Sequence, residues 1–128
     1  MSLPECIARR WHGRVLASHA DDYVRLMEQV AIPDYLRSEG NLGAICLRNN
    51  DGPVSNIVML SFWRDQAAVE RYAGPDHRIA RYYPFDDAYL LEKEKFVLHF
   101  ACRGTMSAFG QEGEATRHRA SGSGAPQP

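Results

Sequence analysis

Residues 42–63 read LGAICLRNNDGPVSNIVMLSFW, two apolar runs on either side of a turn. Asn49, Asn50, Asp51 and Gly52 tolerate the positive φ that a tight hairpin demands, so Leu42–Arg48 and Val54–Trp63 are predicted as antiparallel strands joined there. The second run carries Ile57, Val58, Met59, Leu60 and Phe62 almost without interruption. That density implies burial on both faces and a central place in a sheet.

Before the hairpin, Ile7, Trp11 and Val15 are mixed with Arg9, Arg10, His12 and Arg14, which predicts a first strand over Cys6–Val15 with two differently used faces. Ser18 with Asp21 three residues later resembles a capping box, and it opens a glycine-free run to Ser38. Tyr23, Met27, Val30 and Ala31 then recur at helical spacing and form one apolar stripe. Pro33 lacks a backbone donor and disfavours helical geometry at Ile32, so Pro33–Arg37 is either a separate turn or a kinked continuation. After the hairpin, Asp65 is the cap of a second helix with Ala67, Ala68, Val69 and Tyr72 on its inner side, stopped by Gly74-Pro75. A short helical piece over Asp76–Tyr82, a loop at Pro84–Asp87 and a last strand over Phe96–Cys102 complete the pattern. Strand, helix, strand, strand, helix, strand is the ferredoxin-like α+β order with a four-stranded antiparallel sheet.

Residues 1–103 are therefore predicted as one domain. The segment 104–128 is rich in Gly, Ser, Ala and Pro with few large apolar side chains, so it is expected to be a disordered tail. Two helices cover one face of such a sheet and leave the other bare. Because the third and last strands are apolar on both sides, a second copy is the expected cover, giving a homodimer about a two-fold axis.

The 128 residues are 45% hydrophobic and 24% charged, with a formal net charge of -1. Such a balance gives no electrostatic ground for a nucleic acid or an anionic membrane as partner. Cys6, Cys46 and Cys102 are odd in number and widely spaced, as buried thiols of a reducing compartment would be. No apolar run has the length of a membrane span, and Met1–Glu5 lacks the basic-then-apolar order of a signal peptide, so a cytoplasmic location is expected. Neither HxxxH, HExxH nor a Cys/His cluster occurs, and no metal is expected.

The stretches 7–15 (IARRWHGRV), 60–65 (LSFWRD) with Ala67-Ala68-Val69, and 80–84 (ARYYP) resemble the antibiotic biosynthesis monooxygenase superfamily of dimeric α+β barrels, over about residues 5–102. The resemblance implies a monooxygenase, an oxidoreductase that works without a cofactor on a small aromatic or quinol-like substrate held between sheet and helices. In the haem-degrading branch an Asn on the first strand and a Trp and a His on the second helical segment do the work. Here Trp11, Tyr72 and Tyr82 stand at those places, which disfavours haem chemistry.

The candidate catalytic residues are His77, an imidazole able to move protons beside Arg78, Arg81 and Tyr82, and the phenol Tyr82 itself. Candidate substrate-binding residues are Trp11, Tyr72, Trp63 and His12. Each could equally be a core aromatic or a hydrogen-bonded strand histidine, and the alternative function is a non-catalytic domain that binds a small hydrophobic ligand or only dimerises. Arg9, Arg10 and Arg14 form a basic edge expected to be solvated or paired with Glu92 and Glu94.

Overall fold

A computed structural model describes residues 2–105 of the chain, with side chains from Glu5 to Gly104. Four strands, β1 (Ser2–Leu16), β2 (Asn41–Asp51), β3 (Val54–Trp63) and β4 (Leu98–Thr105), form one sheet in the order β2-β3-β1-β4. Helices α1 (Ala20–Leu26), α2 (Ile32–Arg37), α3 (Gln66–Ala73) and the single turn α4 (Asp86–Tyr89) complete the chain. The α+β architecture is the one expected. The chain divides into a main unit, Cys6–Ala101, and a second unit of the two chain ends, in which Arg103 pairs with Glu5 at 3.1 Å. The tail expected from residue 104 falls, beyond Thr105, outside the described residues.

The hairpin closes one step later than its Asn pair suggests. Asp51 faces Val54 in the ladder, so Gly52 and Pro53 alone make the loop, with Gly52 at φ 62°. A side chain there would be strained. β3 is central, as its composition predicts, but its two faces differ. Ser55, Ile57, Met59, Ser61 and Trp63 are fully buried under the helices, while Val54, Asn56, Val58 and Leu60 on the other face are only half-buried.

Pro33 leaves the first helix continuous. Between α1 and α2 the backbone widens to a π-helix over Met27–Ala31, and the Ile32 N–H donates to the Met27 carbonyl five residues back. One extra residue in the turn absorbs the missing proline donor without a break. The Ser18 capping box does not form. Ala17–His19 is instead a 3₁₀ turn whose Ala17 N–H donates to the Pro53 carbonyl at 2.8 Å, so the hairpin loop takes over the role of the cap. Asp65 caps α3 as expected, accepting from the Ala68 N–H at 2.9 Å.

The segment after α3 departs from its prediction. Asp76–Tyr82 is a turn closed by the Ile79 N–H on the Asp76 carbonyl and then extended chain, not a helix: Ile79 bridges to Phe96, Ala80 N–H donates to Lys95 O, and Val97 N–H donates to Arg78 O, the last two at 2.8 Å. These pairings, made with residues more than a dozen positions away, outcompete a short helix that would bury little. The predicted loop at 84–87 instead winds into α4, with Asp86 buried at its start. The segment also flanks β1, bridging Val15 through Leu90. Among the described residues no helix is long and apolar enough to cross a membrane. Cys46 and Cys102 are half-buried free thiols and Cys6 is buried.

Candidate functional site

The helix-facing side of β1 carries Arg9, Trp11, Gly13 and Val15, paired across the ladder with Ser61, Met59, Ile57 and Ser55 of β3. Trp11 is 5% exposed, and it lies flat because residue 13 is a glycine. A Cβ at Gly13 would meet the Trp11 Cη2 at 2.5 Å and the Leu90 Cδ2 at 2.8 Å, so the missing side chain is what seats the indole. Above this floor, Tyr23, Met27, Ala31 and Tyr35 descend from the first helix and Tyr72 from α3. Arg81, Tyr83 and Asp86 arrive from the segment that follows.

With Trp11 and Met59 of the floor, these eight residues line a cleft between sheet and helices of about 250 Å³ counted out to its open mouth. Its unobstructed interior has room for about one water molecule. Tyr35 stacks on Tyr72 with centroids 4.9 Å apart, and the Arg81 guanidinium lies 4.6 Å from the Tyr72 centroid while donating to the Tyr72 carbonyl at 2.6 Å. The wall is aromatic with a cation at its rim.

Asp86 is the buried acid of the cleft, 1% exposed. Its Oδ1 accepts from the Tyr23 hydroxyl at 2.7 Å and its Oδ2 from the Tyr83 N–H at 2.7 Å. Burial raises its pKa above the ordinary carboxylate range, and the two donors partly offset that rise. The Tyr83 hydroxyl in turn donates to Asp34 Oδ2 at 2.7 Å. Tyr23 and Tyr83 are both pushed far up by burial and by these acids, so both remain phenols.

Of the residues singled out from sequence, Trp11 and Tyr72 line the cleft. Trp63 lies just behind it, with no exposure, packed on Tyr72 at 5.1 Å and donating from Nε1 to Ser61 Oγ at 2.9 Å. Tyr82 sits to the side: its ring meets Trp11 edge-on at 6.0 Å and its hydroxyl donates to the Glu94 carbonyl. His77 is outside the cleft, bonded to Gln66 and edge-on to His99 at 4.9 Å. His12 points to the opposite face of the sheet from Trp11, with Nδ1 at 2.6 Å from Glu94 Oε2 and Nε2 at 3.1 Å from Asn56 Oδ1. It shares no wall with the cleft.

The basic edge is only half as expected. Arg14 pairs with Glu92 at 3.2 Å, but Glu94 takes His12 rather than an arginine. Arg9 is 1% exposed on the helix-facing side, donating to the carbonyls of His77 at 2.6 Å and Ile79 at 3.4 Å and contacting His99 Nε2 at 3.1 Å. Burial lowers its pKa, and the same burial, with the Arg9 cation next, lowers that of His99 to about 4, so the imidazole is a neutral acceptor. Arg81, Asp86, Tyr23 and Tyr35 of the cleft were not singled out from sequence. Only the Tyr23 position in the helical stripe signalled an inward direction.

No family model matches the chain, and no curated protein matches it. Solved structures do share its fold. PA3566 from Pseudomonas aeruginosa superposes with a TM-score of 0.52 at 19% identity, covering 80% of this chain and 97% of its own. A Nitrosomonas europaea protein provisionally named an antibiotic biosynthesis monooxygenase gives 0.55 at 12% identity, over 77% and 89%. A conserved protein from Methanosarcina mazei Go1 gives 0.55 at 17%, over 79% and 94%. The chain thus shares its fold with these proteins, among them one named for the superfamily that its sequence resembles, and at these identities the likeness extends to fold alone.

Proposed function

We propose that the protein is a cofactor-independent monooxygenase of a small quinol-like aromatic, taken up in the cleft between sheet and helices. The observation that carries the reading is the pairing, in one cleft, of an aromatic wall with a buried carboxyl of raised pKa. A quinol can supply every electron that the reaction needs. One oxygen atom of O₂ enters the ring, the other leaves as water, and the quinol ends as a hydroxyquinone. The protein then has three tasks: to exclude water, to hold the ring, and to take the hydroxyl proton whose removal makes the ring electron-rich. Tyr35, Tyr72 and Trp11 hold the ring, and Asp86 takes the proton, being a stronger base than an ordinary carboxylate. Because the interior has room for only about one water, a ring enters as the exposed Arg81 side chain and its neighbours swing aside.

Oxygen uptake with a panel of hydroquinones and naphthols, with product mass, tests this reading. Expected is substrate-dependent uptake that gains one oxygen atom in the product and that Asp86→Asn lowers about 10²-fold or more. Absence of uptake across the panel refutes it. The near-filled cleft favours a second reading, a binder without turnover, and a rise in melting temperature with no oxygen uptake would establish that one instead.

The dimer is part of the same proposal. On the sheet face away from the helices, Leu47, Leu98 and Phe100 are each about half exposed beside Val58 and Leu60, and among the described residues no element covers them. A second copy of the same face buries this patch isologously. Light scattering should give twice the 14.4 kDa chain mass, and Phe100→Arg should return it to one. The half-buried free thiols suit the reducing cytoplasm.

A further inference from the structure

We infer that the occupant of the cleft is a small aromatic anion, its charged oxygen held by the Arg81 guanidinium and the Trp11 indole N–H. This rests on the cleft being a substrate site and narrows what that site takes. Trp11 Nε1 is buried and has no hydrogen-bond acceptor among the described residues. Buried donors rarely stay unpaired in a folded protein. Nor is the indole free to turn toward another partner, since its benzo edge is fixed against Gly13 and Leu90.

The charge around Tyr72 points the same way. Arg81 lines the cleft, and its only hydrogen bond goes to the Tyr72 carbonyl. The buried Arg9 lies 5.7 Å from the centroid of the same ring, bonded to two carbonyls and neutral His99, with its Nε unpartnered. Among the described residues neither guanidinium pairs with a carboxylate, although the eight other arginines given an ion pair all find one nearby on the surface. Asp86 forms no ion pair with either of them; its two oxygens accept from the Tyr23 hydroxyl and the Tyr83 N–H. Two cations about one aromatic ring, neither ion-paired with a carboxylate, and an orphaned indole donor are completed by a ligand that brings its own negative oxygen on a flat ring. Tyr72 and Tyr35 provide the surface for that ring, and the carboxylate or ionised phenol that it bears meets Arg81 at the rim.

Three probes separate the possibilities in the full chain at pH 7: 2,5-dihydroxybenzoate, its methyl ester and hydroquinone. The ester keeps the ring and both hydroxyls and loses only the anion. By calorimetric titration the acid should bind at least about tenfold more tightly than the ester or hydroquinone, and raising the salt should weaken the acid alone. Arg81→Gln should cut the acid-to-ester ratio to below about threefold, and Trp11→Phe, which keeps a ring but deletes the donor, should weaken the acid by about three- to tenfold. Equal affinity for acid and ester in the unmodified protein, or no binding of the acid at millimolar concentration, overturns the inference. Oxygen uptake recorded on the same samples keeps the two proposals apart. Uptake with hydroquinone but no preference for the acid removes the anion and leaves the oxygenase, whereas acid-selective binding without uptake does the reverse.

Discussion

Replacing Tyr23 by Phe deletes one hydroxyl at a position with no solvent exposure and leaves Asp86, itself 1% exposed, with the Tyr83 N–H as its remaining donor. The lost contact is 2.7 Å long. Its worth depends on the state of the carboxyl: about 1 kcal/mol if Asp86 is protonated, about 2–3 kcal/mol if it is ionised, because a hydrogen bond to a charged group is roughly twice as strong. Burial already raises the Asp86 pKa above the 3.8 of a free side chain. A carboxyl raised in this way holds its proton more tightly folded than unfolded, so stability falls as pH rises from about 4 through the raised value. The Tyr23 hydroxyl restrains that rise. Without it the folded pKa climbs further and the fall extends to higher pH, so the gap between variant and parent widens with pH. Urea unfolding followed by tryptophan fluorescence, at one protein concentration and several pH values from 4 to 7.5, reads this directly. The expected loss grows from about 1 kcal/mol at the acid end to about 2–3 kcal/mol at the neutral end. A loss below about 0.5 kcal/mol throughout, or one that does not change with pH, would show that the pair does not hold Asp86 in the way described.

Gly13→Ala places a Cβ where the Trp11 ring and Leu90 now lie, so it should cost about 1–3 kcal/mol and shift the Trp11 fluorescence, checked by denaturation and emission spectra. His99, held at about 4 by burial and the Arg9 cation, makes stability fall as pH drops from 6.5 toward 4, since only the unfolded chain takes up the proton there. For this half-buried ring the effect after solvent screening is about 1 kcal/mol, and His99→Gln, which still offers Arg9 an acceptor, should remove it from the difference between the two unfolding profiles. His77→Ala and Tyr82→Phe should retain oxygen uptake within about threefold of the parent, because both residues stand outside the cleft; a loss of 10²-fold in either would return that residue to the mechanism.

The parts of the molecule that could be read from the chain are those governed by short-range chemistry. Gly52 must supply a positive φ for the hairpin, and Asp65 reaches an N–H three residues on, whereas the apolar run of β3 does not reveal which of its faces the helices cover. Trp11 and Tyr72 were legible for the same reason, since their positions on a strand face and a helix face follow from period alone. The short helix expected to carry His77 with Arg78, Arg81 and Tyr82 does not form, and His77 stands in a turn outside the cleft.

What the sequence by itself determined is the α+β order of strands and helices, the central place of β3, and the apolar stripe of the two main helical segments, all consequences of local dihedral preference and apolar period. Only the tertiary structure decided the site. Tyr23 meets Asp86 across 63 residues, Tyr83 meets Asp34 across 49, and Arg9 finds the His77 carbonyl across 68. No spacing in the chain encodes such partners. They arise when the segment after α3 is drawn out along the sheet, burying a carboxylate and a guanidinium that on composition alone belong at the surface.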